Sequence, residues 1–314
     1  NGSNMKLFGR SLPPAEPVST LPDWRQADTE WIESALAQTQ TRSGGGWAVV
    51  DASRAIDEKP RRYKIAGVEW VVWRHGQEVH VAPDSCPHMG APLAGACTEE
   101  GKLVCPWHGL RLGPAGHDQW QPIDAFDDGY LVWARAIAAE NPTERPSLAP
   151  RPEFALDAVV SHEARCEAVD VVSNRLDPWH GAHFHPYSFQ DLRVIEQLED
   201  EVTVRVVYRI VGRIGVEVDA RFHSPDLRTI VMTIIRGEGE GSIVETHATP
   251  VSPGRSRVIE LTLATSDHPR FRPVVKLVGG VLRPLVQKAA RRLWEDDAAY
   301  AERRYRLRAG HLPE

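Results

Sequence analysis

Residues 86–109 read CPHMGAPLAGACTEEGKLVCPWHG, and this stretch constrains the chain more than any other. One residue separates Cys86 from His88, two separate Cys105 from His108, and sixteen lie between the pairs. Thiolates are soft, charged donors suited to zinc or iron–sulfur clusters, whereas imidazole suits many metals. A structural zinc finger groups its cysteines together and its histidines together. Here each loop supplies one of each. That order suits a [2Fe-2S] cluster in which one iron takes both cysteines and the other both histidines. Pro87 and Pro106 stiffen the loops, while Gly90, Gly95 and Gly109 let backbone run close to a cluster. Replacing two thiolates by neutral imidazoles makes such a cluster less negative and raises its reduction potential. Cys97 fits neither ligand position and reads as loop or core.

At 314 residues the chain is long enough for one large domain or two ordinary ones. Its net charge of −6, without a lysine–arginine tract, excludes a nucleic-acid binder. Four cysteines in a long chain point to metal binding or burial, not to a disulfide framework. NGSNMKLFGR has no apolar core of a signal peptide, and Asn1–Asn4 read as an expression remnant. The most apolar stretch, residues 273–290, is interrupted by Lys276, Arg283 and Pro284 and is too short to span a bilayer. The expected location is cytoplasmic.

Residues 20–42, within an N-terminal segment 5–44, are predicted helical: Trp24, Ala27, Trp31 and Ala35 share a face, and TRSGGG ends it. Residues 45–138 show short apolar runs between turns, the pattern of a small antiparallel β domain. Residues 139–153 carry four prolines and read as a linker. Residues 154–314 hold longer Val- and Ile-rich runs, predicted strands of an antiparallel sheet, and then an alanine-rich, charged C-terminal helix. The predicted fold class is α+β.

NRLDPWHGAHFHP, residues 174–186, is the second candidate metal site. His180 and His185 are five apart, about 500° on a helix, so their imidazoles diverge by about 140° unless the helix ends or loosens between them. Gly181 and Pro186 favour that. Two histidines and a distant carboxylate would form the facial triad of non-haem Fe(II) oxygenases. His183 is a lesser candidate.

With both motifs in view, the chain resembles the Rieske-type non-haem iron oxygenases over nearly its whole length. CPHMGAPLAGACTEEGKLVCPWHGLRLG matches that family's C-x-H and C-x2-H loops, so Cys86, His88, Cys105 and His108 would hold the cluster. Leu110 and Leu112 stand where relatives usually carry aromatic residues. Asp177, His180 and His185 match the D-x2-H-x4-H motif: the histidines as ligands of a mononuclear Fe(II), Asp177 as an acid that bridges to a Rieske histidine, here His108, of a neighbouring subunit. Asn174 matches a residue often found beside the iron. The third ligand would come from LWEDDAAYAERRYR, residues 293–306, with Asp296 preferred and Asp297 the alternative.

The resemblance further implies a helix-grip catalytic domain with the iron between sheet and C-terminal helix, and a head-to-tail homotrimer. It implies O2 as co-substrate, electrons from a ferredoxin or a flavin reductase fed by NAD(P)H, and hydroxylation, dihydroxylation or oxidative demethylation of a small hydrophobic molecule. A Rieske electron carrier with a non-catalytic helix-grip domain is the alternative, and a ligand carrier a further one. The arginines at 303, 304, 306 and 308 would either dock an acidic ferredoxin or form a solvated helix face.

Overall fold

The computed structural model describes residues 27–185, 189–211 and 214–310, with a short strand pair, β1 (Lys6–Leu7) and β2 (Arg10–Ser11). Trp24, Pro186 and Asn1–Asn4 lie outside the described residues, as does the side chain of His183. Helix α1 (Thr29–Thr39) lies inside the predicted span, of which residues 20–26 fall outside the described ones, and Asp28 caps it, its carboxylate accepting from the Trp31 amide at 2.9 Å. Trp31 and Ala35 are buried, as their shared face requires.

The first domain holds three small antiparallel sheets. β3 (Ala48–Ala52) joins β10 (Ala125–Asp127) and β11 (Leu131–Ala134). β4 (Arg61–Ile65), β5 (Val68–His75) and β6 (Glu78–Pro83) form the second sheet, and β7 (Cys97–Glu99), β8 (Lys102–Val104) and β9 (Arg111–Leu112) the third. The middle of β5, WVVW, is buried without alternation because the strand separates two cores. Val71 and Trp73 pack with Leu93, Leu103 and Leu112 beneath the cysteine loops, and Trp70 and Val72 pack with Val50 and Val132 on the other side.

The second domain is one seven-stranded antiparallel sheet: β12 (Leu156–Ala164), β18 (Arg255–Ala264), β17 (Ile243–Ser252), β16 (Thr229–Gly237), β15 (Ile214–Asp226), β14 (Glu201–Val211) and β13 (Phe189–Gln197), in that spatial order. Between β12 and β13 run α2 (Ala168–Leu176) and the five-residue α3 (His180–Phe184). Helix α4 (Phe271–Arg308) packs on β12 and α2. It begins where the sequence suggested only an interrupted apolar stretch, and it runs through Pro284. A proline ring clashes with the carbonyl four residues earlier, and here that residue is Gly280, which leaves room to adjust. Gly279 is buried in α4 next to Leu156 of β12.

Strand β18 is a wall between the two domains. Ile259, Leu261 and Leu263 pack against Trp47, Val49, Leu131 and Trp133 of the first domain. Residues 139–153 form no helix or strand, yet they are not a loose tether. Glu140 pairs with Arg228, whose guanidinium also donates to the Trp47 carbonyl at 2.8 Å. Arg151 donates to both carboxylate oxygens of Glu245 at 2.8 and 2.7 Å and lies 3.0 Å from Asp128. No helix of the described residues is long and apolar enough to cross a membrane.

Candidate metal centres

The two cysteine loops share one backbone plan. The Cys86 amide donates to the Ala91 carbonyl at 2.8 Å, and the Gly90 amide to the Cys86 carbonyl at 2.8 Å. In the second loop Cys105 donates to Leu110 and Gly109 to Cys105, both at 2.9 Å. Each loop closes through a glycine in the left-handed region, Gly90 at φ +76° and Gly109 at φ +72°, where a side chain would be strained. Asp84 anchors the first loop, accepting from the Ala94 amide at 2.6 Å and from Arg62.

These turns bury Cys86 and Cys105 and leave His88 and His108 exposed, their ring centroids 4.8 Å apart. Burial raises the Cys105 thiol, but the amides of Trp107 and His108 outweigh it and hold that thiol below its ordinary value. The two thiols interact with each other and the two imidazole rings stand edge to face, and together they are the donor set that a Rieske-type [2Fe-2S] cluster would take. Met89 and Trp107 flank the tip and are exposed. Leu112, where relatives usually carry an aromatic residue, is fully buried. Cys97 is exposed in β7, away from either ligand position.

In the second domain α3 ends at Phe184, and His185 turns out of it at φ −123°, ψ 50°. The expected divergence of the two imidazoles is thereby avoided. The carboxylate they meet is Asp297, not Asp296. Oδ1 of Asp297 stands 3.0 Å from Nε2 of His180 and 2.8 Å from Nε2 of His185. The three ligand atoms lie within 4.8 Å of one another, and all three residues are buried.

The structure brings Asp297, and not the preferred Asp296, to the two Nε2 atoms for a helical reason. The buried face of α4 here is Trp294, Asp297, Ala298 and Ala301, and Asp296 is about 100° round from Asp297. Its side chain is 41% exposed, and its carboxylate sits behind the His185 ring, 3.6 Å from Nδ1. The sequence pattern identified the acidic pair but not which member faces inward.

Asn174 is fully buried, its amide nitrogen 3.2 Å from Nε2 of His180 and 3.3 Å from Oδ1 of Asp297. Asp177 holds His180 through its backbone carbonyl, which meets the ring Nδ1. Its carboxylate instead accepts the amides of Trp179 and His180 at 3.1 and 3.3 Å and the Tyr300 hydroxyl at 3.2 Å.

Behind Asp297 lies a buried network that the sequence reading missed. Arg175 pairs with Glu260, approaches Oδ2 of Asp297 at 3.4 Å and stacks over Trp294, 4.5 Å from its ring centroid. Trp294 in turn donates to Glu260 at 2.8 Å. Burial alone would raise the Asp297 carboxyl. Arg175 and the hydrogen bonds with His180 and His185 outweigh it and keep the group well below the usual carboxylate range. The signal available was Glu260 itself, a lone acid in the apolar run SRVIELTLA.

Above the triad is a cavity of about 290 Å³ between sheet and α4. Leu192, Val204, Val206, Phe222, Ile230, Met232 and Val244 line one side, and Val286, Ala289 and Leu293 the other. The Arg175 guanidinium at its border is already committed to Glu260 and Asp297.

A model described as Rieske [2Fe-2S] domain matches residues 46–126, and one described as Domain of unknown function (DUF5914) matches residues 137–312. The vanillate O-demethylase oxygenase subunit of a Pseudomonas strain is 29% identical over 168 residues, 48% of this chain and 47% of that protein. The dicamba O-demethylase oxygenase component of Stenotrophomonas maltophilia is 26% identical over 176 residues, 50% of this chain and 52% of that one. The chain therefore matches about half the length of these relatives. Dicamba monooxygenase bound to dicamba superposes with a TM-score of 0.58 at 18% identity, covering 86% of this chain and 91% of that one. An oxygenase–ferredoxin complex of carbazole 1,9a-dioxygenase gives 0.58 at 13%, covering 90% and 85%. The chain belongs to the DUF5914 family, carries a Rieske [2Fe-2S] domain ahead of it, and shares its fold with these oxygenases.

Within this DUF5914 protein the arginine-rich end of α4 has a structural use. Arg304 pairs with Asp170, and Arg308 with Asp170 and Glu167, at the start of α2. Arg304 is thereby half-buried, while Arg308 keeps an exposed face beside its ion pairs. Cys166 is buried, its thiol pushed up to about 12 mainly by that burial, and it takes no part in either centre.

Proposed function

We propose that the protein is an oxygenase that uses O2 and externally supplied electrons to hydroxylate or oxidatively demethylate a small, largely hydrophobic molecule. The observation that carries this reading is the buried convergence of His180, His185 and Asp297 on the floor of an apolar cavity. Two imidazoles and one carboxylate are the donor set of a non-haem Fe(II) site that keeps positions open. Cys86, Cys105, His88 and His108 would hold the [2Fe-2S] cluster. When bound, the two centres supply one-electron reduction and O2 activation.

The chain's own contribution is positioning. Oδ1 of Asp297 faces the histidines while the Arg175 guanidinium lies 3.4 Å from Oδ2, so Oδ1 is the carboxylate oxygen that would hold the metal. The Asp177 carbonyl and the Asp296 carboxylate sit behind the two rings and fix their orientation, the usual task of groups behind a ligating histidine. The aliphatic lining excludes water and holds an apolar substrate over the triad. In a head-to-tail trimer, half-buried Asp177 would meet exposed His108 of a neighbouring subunit, and the ring of Met89 and Trp107 suits that contact. A ferredoxin, as in the carbazole dioxygenase complex, would deliver the electrons, drawn in turn from a reductase.

Iron and acid-labile sulfide counted on anaerobically prepared protein test the reading. About three irons and two sulfides per chain are expected, falling to about two irons in Asp297→Asn and unchanged in Asp296→Asn. Two irons in the wild type, with no Fe(II) taken up on reconstitution, would reduce the protein to an electron carrier.

A further inference from the structure

The N-terminal half of α4 shows two faces of different character. Its inner side, through Val286, Ala289 and Leu293, walls the cavity. Its outer side carries Leu277, Val281 and Leu285, 84%, 70% and 59% exposed. Four-residue spacing places them in one stripe about 12 Å long. Large aliphatic side chains in such a row are unlike the isolated exposed residues common on any surface.

Charge sets the occupant. From His268 to Trp294 there is no acidic residue, while Arg270, Arg272, Lys276, Arg283, Lys288, Arg291 and Arg292 supply seven cations in a chain of net charge −6. Arg283 turns inward to Asp157 and Arg272 stacks over Phe154, 5.0 Å from its ring centroid, while Arg270 and Lys276 at one end of the stripe and Lys288, Arg291 and Arg292 at the other are exposed. An apolar stripe between basic ends is the pattern of a helix lying in the interface of an anionic membrane, its aliphatic side chains among the acyl chains and its cations at the headgroups. A soluble acidic protein would satisfy the cations but leave the stripe without an apolar counterpart.

We propose that this face of α4 docks the protein on an anionic lipid surface. The docking stands without the oxygenase reading. Its use rests on that reading: the same helix forms the cavity wall, so a substrate dissolved in the bilayer would reach the triad past Leu285 and Ala289 without crossing water.

The test is co-sedimentation of the full chain with large unilamellar vesicles, one set of equal phosphatidylglycerol and phosphatidylcholine and one of phosphatidylcholine alone. Binding to the anionic vesicles is expected, weakened by salt. About tenfold loss is expected in Leu277→Glu/Val281→Glu and again in Lys276→Glu/Lys288→Glu. The visible spectrum of the cluster reports that each variant remains folded. Absence of binding to the anionic vesicles, equal binding to both sets, or variants that bind like the wild type would overturn the proposal. If the wild type ignores vesicles while Leu277→Glu/Val281→Glu elutes as a smaller species in size exclusion, the face belongs to a second copy of the chain. These readouts need no substrate, so their failure leaves the iron count untouched.

Discussion

Asp177 shows how one residue can serve a site through separate atoms. Its carbonyl holds the His180 ring, and one carboxylate oxygen caps the start of α3 while the other receives Tyr300. Asp177→Asn preserves the carbonyl and an oxygen to accept the Trp179 amide, so iron content and cluster spectrum should match the wild type. It removes the negative charge proposed to face His108 of a neighbouring subunit, and product formation should fall about 100-fold. Full coupled turnover in that variant would remove Asp177 from the subunit contact. The residue types of the triad were legible because two histidines five apart in NRLDPWHGAHFHP and an acidic pair in LWEDDAAYAERRYR are the donor types that such a site needs. The choice between Asp296 and Asp297 was not. It depends on where α4 sits about its own axis, and that is set by Trp294 and Ala298 packing on α2 and β12.

At the scale of elements, Arg175 ties α2 to β18 and α4, meeting Glu260 on one and Asp297 on the other. Replacing it by methionine leaves two carboxylates in an apolar setting without their counter-ion. Arg175→Met should cost ~3–5 kcal/mol in urea unfolding, and Arg175→Met/Glu260→Gln should recover part of it. A single variant as stable as the wild type would mean the pair is dispensable. This network escaped the sequence reading because its members lie 85 and 122 positions apart along the chain, from Arg175 to Glu260 and Asp297, and no local pattern joins them. The β strands were legible where they form long apolar runs, as in β14 to β18. The beginning of α4 was not, because Gly279, Gly280 and Pro284 signal a break that packing against β12 overrides.

Across the whole molecule, the segment between the domains acts as a seam held by buried charge. Burial alone would raise the Glu245 carboxyl, but hydrogen bonds from Arg151 and His247 bring it from 4.5 down to about 2. A folded-state value below the unfolded one stabilises the protein fully above about pH 4.5, and that contribution disappears as pH falls toward about 2. Glu245→Gln should therefore be less stable by about 3 kcal/mol at pH 7, with the gap closing between pH 4.5 and 2. Unfolding curves for both proteins across that range check it, and a gap independent of pH would assign the loss to packing alone. The other half of the seam is β18, whose two sides answer to different neighbours. Ile259, Leu261 and Leu263 register one domain against the other, while Glu260 and Thr262 border the cavity. Substrate preference and domain alignment are thus written in alternate letters of a single strand. Variation at Thr262 can rewrite the first while the second stays legible, whereas Glu260 is held in place by Arg175 and Trp294.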